Sequence, residues 1–474
     1  MSYIGVKPTI GNFQICDAIS VVNGQAAYTM QVGSVNVSPQ SANHMIVSLN
    51  SCIQKPNSSF TVSGSTITFA SNLVTNDVID FIQILGDVLD LGVPSDATVT
   101  TAKLADDAVT SAKITDANIT SAKIAGGVLK PPHRNLIING DMSVAQRATS
   151  VTGVGNGDNS CHTVDRLSFY EEGATSGEFT MSQDTDVPTG YGFAKSTKFD
   201  CTTADASLAV AEVFALEYKF EGLHLQHLKK GTSNAESLTL SFWVKTNKTG
   251  TYVANFYDND NDRHTSQNYT VSSSNTWEKK TITFAPDTSG TLTNDNTLAL
   301  AMYFILGAGT SYTSGSAATA WETFTGNADN WCGGQNVNVL DHTDNNFWIT
   351  GVQLEIGTAA SDFEFVPYDV NLQRCQRYFQ TYTVMGTMGA RNTTDVEGSF
   401  EFHTPMRSSP SASQSTAKVF RDMYGGTFTQ SSAAISIVDS SDKGLFVGMG
   451  NLSSLTQGRI MCATSGTSQF SSEL

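Results

Sequence analysis

TVTTAKLADD, AVTSAKITDA and NITSAKIAGG, read in succession over residues 98–127, are three near-copies of one ten-residue unit. Val99, Val109 and Ile119 are in register, as are Ala102, Ala112 and Ala122, then Lys103, Lys113 and Lys123, then Leu104, Ile114 and Ile124. Each unit carries about two large apolar side chains, too few to offset the conformational entropy of ordering it in a single chain. A repeat that cannot bury its own apolar face needs neighbours to bury it. The simplest neighbours are two further copies of the same chain around a threefold axis. The period is neither the seven nor the eleven of a coiled coil, and β-branched Val, Ile and Thr dominate it. The segment therefore reads as a short fibrous shaft that exists only in an oligomer. Val99, Leu104, Val109, Ile114, Ile119 and Ile124 line the shared axis of that shaft, with the lysines outward. The alternative reading is a disordered linker in which the repeat is accidental.

Upstream, residues 1–94 read as a compact β domain. Candidate strands lie over 28–37 and 45–53, and SFTVSGSTITFASN reads as strand, turn and strand, with Phe60 and Val62 then Ile67 and Phe69 alternating about Gly64. The apolar run over 77–86 predicts a buried closing strand. Pro94 ends regular structure, and PPH at 131–133 bounds the shaft region, 95–130. Downstream, 131–370 reads as a β-sandwich, with candidate strands over 166–170, 208–214, 238–245, 252–258, 279–284, 297–305 and 346–354. Over 371–381, Leu372, Cys375 and Phe379 recur at three and four, which predicts a short connecting helix. Residues 382–474 return to β alternation.

Composition restricts the function class. Among 474 residues, 15% are charged, below the usual ~25% of globular proteins, which suits a β-rich, turn-rich structural protein. The net charge of −17 and the lack of a basic block argue against nucleic acid as a partner. No apolar run approaches the ~20 residues of a membrane helix, so membrane insertion is not expected. The start, MSYIGVKPTI, lacks a signal-peptide pattern, so the chain is expected to stay in the cytosol that makes it or to leave by lysis. Seven cysteines without a CxxC pair argue against a zinc site and against a disulfide framework.

Several segments, in order, resemble tail-fibre proteins of tailed bacteriophages, of podovirus type. HMIVSLNSCIQKPNSSFTVSGSTITFASNLVTNDVIDFIQILG at 44–86 is similar to a fibre N-terminal domain, with Asn50-Ser51 where Asn-Gly is common. The TSAKI decads are similar to shaft repeats. RNLIINGDMSVAQRAT and TVDRLSFY are similar to the opening of a fibre sandwich domain, matching at Asn135, Asn139, Gly140, Gln146, Arg147, Asp165 and Arg166, with Leu167 replacing the more usual Trp. LSFWVKTNKTGTY, NTWEKKTITF, the stretch 347–379 and TPMRSSPS at 404–411 match later motifs. The resemblance implies a mainly β protein: an N-terminal β domain, a short trimeric repeat shaft, a β-sandwich of jelly-roll, carbohydrate-binding-module-like type, a short helix and a C-terminal β domain. It implies a homotrimer in the virion, made in the host cytoplasm. The N-terminal domain would join a tail adaptor or nozzle protein. The distal domains would meet a host receptor, such as lipopolysaccharide or another surface glycan.

Candidate site residues follow from chemistry. Trp321 and Trp331 lie in 307–345, a polar, Gly-rich stretch that reads as a long functional loop. A sugar ring needs flat aromatic faces beside amides or carboxylates, which Tyr312, Asp329, Asn330 and Asn336 would supply. The aromatic, Gly-rich tip at 423–428 is the other candidate. Trp243, Trp277 and Trp348 fall within strand patterns and are expected in the core. Asp165 and Arg166 are expected as a buried structural ion pair or turn contact. YDNDNDRH at 257–264 starts like a calcium loop but has Arg263 and Tyr269 where Gly and Glu are required, so it reads as a solvated hairpin tip. No nucleophile elbow, zinc helix or phosphate loop is present in the sequence. No cofactor or metal, and no enzymatic activity, is expected. The alternative is a fibre-like depolymerase, which needs two convergent carboxylates, for which Glu171, Glu172, Glu355 and Glu364 are candidates. A secreted bacterial adhesin is disfavoured by the missing signal pattern.

Overall fold

The computed structural model describes residues 13–85, 104, 109, 133–173, 175–325, 330–383 and 386–474. They fall into two units, Met1–Leu129 and Lys130–Leu474. In the first, the strands are β1 (Gln14–Ile15), β2 (Gln25–Thr29), β3 (Gln31–Val32), β4 (Val35–Asn36), β5 (Met45–Leu49), β6 (Cys52–Ile53), β7 (Phe60–Ser63), β8 (Thr66–Leu73) and β9 (Ile79–Ile84). They form sheets ordered β1-β9-β5-β6 and β2-β8-β7 and the pair β3-β4. Tyr28, Met30, Val47, Phe60, Ile67 and Ile82 make the shared core.

Two expected long strands break at turns with left-handed residues. Gly33 and Ser34 have φ of 58° and 68°, and their N–H groups donate to the Asp17 carboxylate. Asn50 and Ser51 have φ of 51° and 64° between β5 and β6, the signs of a tight hairpin turn. Ser51 holds the glycine-favouring position because its N–H donates to Asp80 at 2.7 Å. Of the shaft positions, Leu104 and Val109 are exposed in the single chain. Val99, Ile114, Ile119 and Ile124 lie outside the described residues.

The second unit opens on a sandwich built from β10 (Ser150–Gly155), β11 (Ser168–Glu172), β12 (Glu178–Asp184), β13 (Ser196–Thr203), β14 (Val213–Glu221), β15 (Leu238–Thr246), β16 (Gly250–Asp258), β17 (Arg263–Val271), β18 (Glu278–Phe284), β19 (Leu298–Ala308), β20 (Glu322–Thr323) and β21 (Asn346–Ile356). One six-stranded sheet runs β10-β12-β13-β21-β15-β18, the other β11-β14-β19-β16-β17-β20, all antiparallel. Alternate residues such as Phe199, Leu240, Phe242, Val244, Phe214, Leu216, Phe256, Met302 and Phe304 interdigitate between the sheets. The strand expected over 208–214 starts later, at Val213, and β10, β12, β13, β17 and β20 fall outside the expected strands. In β17 the reason is clear: His264, Thr265 and Ser266 are buried polar residues, with Thr265 and Ser266 bonded to the Ala318 carbonyl, so apolar alternation is lost.

A single turn of helix, α1 (Thr310–Thr313), precedes β20, and α2 (Tyr368–Gln376) follows the sandwich. The latter begins and ends earlier than the expected 371–381, because Phe379 opens a strand. Then come β22 (Phe379–Tyr382), β23 (Thr387–Ala390), β24 (Val396–Glu401), β25 (Ser411–Gln414), β26 (Val419–Asp422), β27 (Thr427–Thr429), β28 (Ser436–Ser440), β29 (Gly444–Met449), β30 (Ile460–Ser465) and β31 (Ser468–Ser471). These pair as β22-β31-β25 and β27-β26-β30-β23-β24-β29-β28 over their own core of Met388, Val396, Phe420, Val447, Met461 and Phe470.

Candidate functional site

The described residues of the stretch 307–345 cover the second sheet rather than forming a free loop. The outward residues Ala215, Val253, Ala301, Tyr303 and Ile305 are apolar and need cover. Tyr312 and Trp331 supply it, at 1% and 4% exposure. The Trp331 ring lies edge-on to Tyr303, Tyr312 and Phe324 at 5.5, 5.5 and 6.0 Å. Rings so enclosed offer no face to a sugar, which corrects the expectation for these two residues. Asn330 bonds the Glu322 carboxylate, and its carbonyl accepts from Ser266. Asn336 is exposed, but its amide oxygen accepts the Thr251 N–H at 2.7 Å. Trp321 is half-buried: its N–H donates to the Ala285 carbonyl and the Lys230 ammonium sits 4.9 Å from its ring. Asp329 lies outside the described residues.

The partly open aromatic surface is on the other sheet. Leu240, Phe242 and Val244 point between the sheets, so Trp243 points outward. Cross-strand partners share a face, which sets Lys198, Trp348 and Lys245 in one row and Thr350, Trp243 and Lys279 in the next. Trp243 and Trp277 are half-buried and Trp348 is buried at 9% exposure, but all three lie outside the inter-sheet core in which their strand patterns placed them. Tyr191, 56% exposed, tilts against Trp243 with ring centroids 4.3 Å apart.

Backbone and polar contacts hold these rings. The β15–β21 register shifts between Ser241 and Trp243, a bulge that re-aims the side chain. Opposite it, Gly351 has φ +62°, and a Cβ there would stand 2.6 Å from Phe193 and 3.1 Å from Trp243. Glycine thus admits both rings over the strand. The Trp277 indole donates to Asp186 at 2.9 Å, and Asp186 also pairs with Lys245, which lies over Trp348. Trp348 donates to Asp184 at 3.3 Å. Phe193 continues the patch to Phe363 and to half-exposed Phe365. Such a surface gives flat apolar faces with fixed polar edges, the arrangement that stacks on a sugar ring.

Asp165 and Arg166 are buried and structural, but each is paired elsewhere. Asp165 accepts the Gln146 N–H at 3.1 Å and faces Arg147, while burial pushes its carboxyl up to about 6. Arg166 pairs with Glu473, bonds the Lys219 carbonyl and lies 3.5 Å over the Tyr378 ring. These arginines line a cavity of about 170 Å³ with Cys161, whose thiol burial pushes up to about 12 and so keeps protonated. The hairpin tip at 257–264 is not wholly solvated. Asp258 is fully buried, pairs with Lys230 and accepts the Asp260 and Asn261 N–H groups. At the C-terminal tip, Met423 and Tyr424 are exposed on a turn whose N–H groups donate to Asp422.

No protein-family model matches the chain, and no curated protein matches it. Among solved structures, the chain is similar to the enzymatically active domain of tailspike protein 4 of bacteriophage CBA120, at 13% identity and a TM-score of 0.25, over 48% of this chain and 22% of that one. It is also similar to the family 11 carbohydrate-binding module of a Clostridium thermocellum cellulosomal cellulase, at 10% identity and a TM-score of 0.23, over 44% of this chain and 94% of that one. A xylan-binding domain from Paenibacillus barcinonensis matches at 11% identity and a TM-score of 0.20, over 44% of this chain and 95% of that one.

Proposed function

We propose that the protein is a tail fibre of podovirus type, a homotrimer of the virion that joins a tail adaptor or nozzle protein through residues 1–94. Its sandwich and C-terminal β domains bind a host-surface glycan, lipopolysaccharide or another envelope polysaccharide, without cleaving it. The observation that carries the glycan reading is the Tyr191–Trp243 pair, open to solvent on a sheet face whose neighbouring indoles are fixed by Asp184 and Asp186. Multivalency supports it, since three weak sites on one trimer raise avidity by orders of magnitude.

Binding rather than hydrolysis is favoured by how the candidate acids are used. Glu171 accepts the Gly157 and Thr175 N–H groups, Glu355 pairs with Arg134, and Glu364 accepts the His133 and Asn135 N–H groups. Glu172 accepts from the Tyr170 hydroxyl. Glycoside hydrolysis needs two carboxyls convergent on one scissile bond, and each of these acids is instead held by its own neighbours. The test is incubation of the purified protein with host polysaccharide, followed by sizing of the sugar and a cell-binding assay. Intact sugar with cell binding is expected. Shortened chains would make the protein a depolymerase, and absence of binding would remove the glycan reading.

A further inference from the structure

Two lysines lie near the stacked pair, one by strand register and one by its main chain. Lys279 stands directly across the strand from Trp243. Trp243's other cross-strand neighbour, Thr350, donates to the carbonyl of Lys195, four residues beyond Tyr191. Neither lysine has an ion pair among the described residues. The charges of the next row are already matched: Lys198 lies 3.5 Å from Asp200, and Lys245 pairs with Asp186. Asp186 is matched by Lys245, and Asp184, which accepts the Trp348 indole, keeps one negative charge, so the two lysines leave a net positive charge near the open rings.

We infer that the ligand stacked on Tyr191 and Trp243 is an acidic glycan, its carboxylate or phosphate groups meeting Lys195 and Lys279. This rests on the glycan-binding reading above. A neutral sugar is held by the rings and by hydrogen bonds to fixed polar edges, whereas unpaired ammonium groups at the rim add a charge attraction, screened by salt, that an anionic substituent gains most from.

The experiment measures binding of the full chain to host envelope polysaccharide, untreated, carboxyl-reduced or dephosphorylated, at low and at 0.5 M salt. The variants are the double replacement Lys195→Gln with Lys279→Gln, and Trp243→Ala, each checked for an unchanged thermal midpoint. Two exposed ion pairs removed together should weaken binding about tenfold. The same loss is expected in high salt and after one of the two chemical treatments, which identifies carboxylate or phosphate as the source. Trp243→Ala should abolish binding to treated and untreated sugar alike. Binding that needs Trp243 but ignores both lysines, salt and both treatments overturns this inference and leaves the glycan reading standing. No binding to untreated sugar overturns both.

Discussion

At the scale of single residues, Gly351 limits what the aromatic face tolerates. A methyl group there must displace the Phe193 ring or distort a positive-φ backbone. Gly351→Ala should cost about 1–3 kcal/mol in urea unfolding and weaken glycan binding, while Gly357→Ala, with open space around it, disturbs no ring. Asp165 gives a pH signature. Its carboxyl titrates at about 6 when buried, against 3.8 in the unfolded chain. The folded state therefore holds the extra proton between those values, and this group's contribution is fully present below about 3.8 and lost as pH rises through 6. Asp165→Asn should flatten that part of the stability–pH profile; an unchanged slope would assign it to another group. Trp243 was expected in the core because its strand is apolar, yet the alternation of Leu240, Phe242 and Val244 around it carries the signal that places it outward. The inward position of Trp331 was not legible in the sequence, because it depends on an apolar sheet face distant in sequence.

At the scale of elements, the decads make the sharpest prediction. Val109→Asp with Ile114→Asp puts charge at positions assigned to a shared axis, and should loosen the oligomer while the sandwich unfolds as before. Unchanged sedimentation of that variant would remove the shaft reading. Strands with strong alternation were readable: Phe60–Ser63, Thr66–Leu73 and Leu238–Thr246 stand close to where the sequence placed them. Strands whose buried faces are polar were not. In Arg263–Val271 the Thr265 and Ser266 hydroxyls donate to the Ala318 and Asn330 carbonyls, contacts that no local pattern encodes. The helix boundary erred because Phe379 fits the helical period yet is claimed by the pairing of β22 with β31.

At the scale of the whole molecule, the proposed polarity predicts that a chain starting near residue 131 fails to join particles yet still adsorbs to host cells. Incorporation of that truncation into virions would reverse the orientation. The parent chain should run as three copies in native mass spectrometry. One contact gives the second unit a mechanical character. Residues 472–473 return to the sandwich after the C-terminal sheets: Ser472 N–H donates to the Tyr378 carbonyl, and Glu473 is gripped by Arg147 and Arg166. The Arg407 guanidinium adds a bond to the Asn296 carbonyl. The C-terminal sheets are thus fastened at both of their ends, and a tug delivered there during adsorption divides between the covalent route through α2 and the Glu473 clasp. Severing the clasp with Glu473→Ala should lower the rupture force of this junction in a pulling experiment, with the sandwich itself yielding at its usual load.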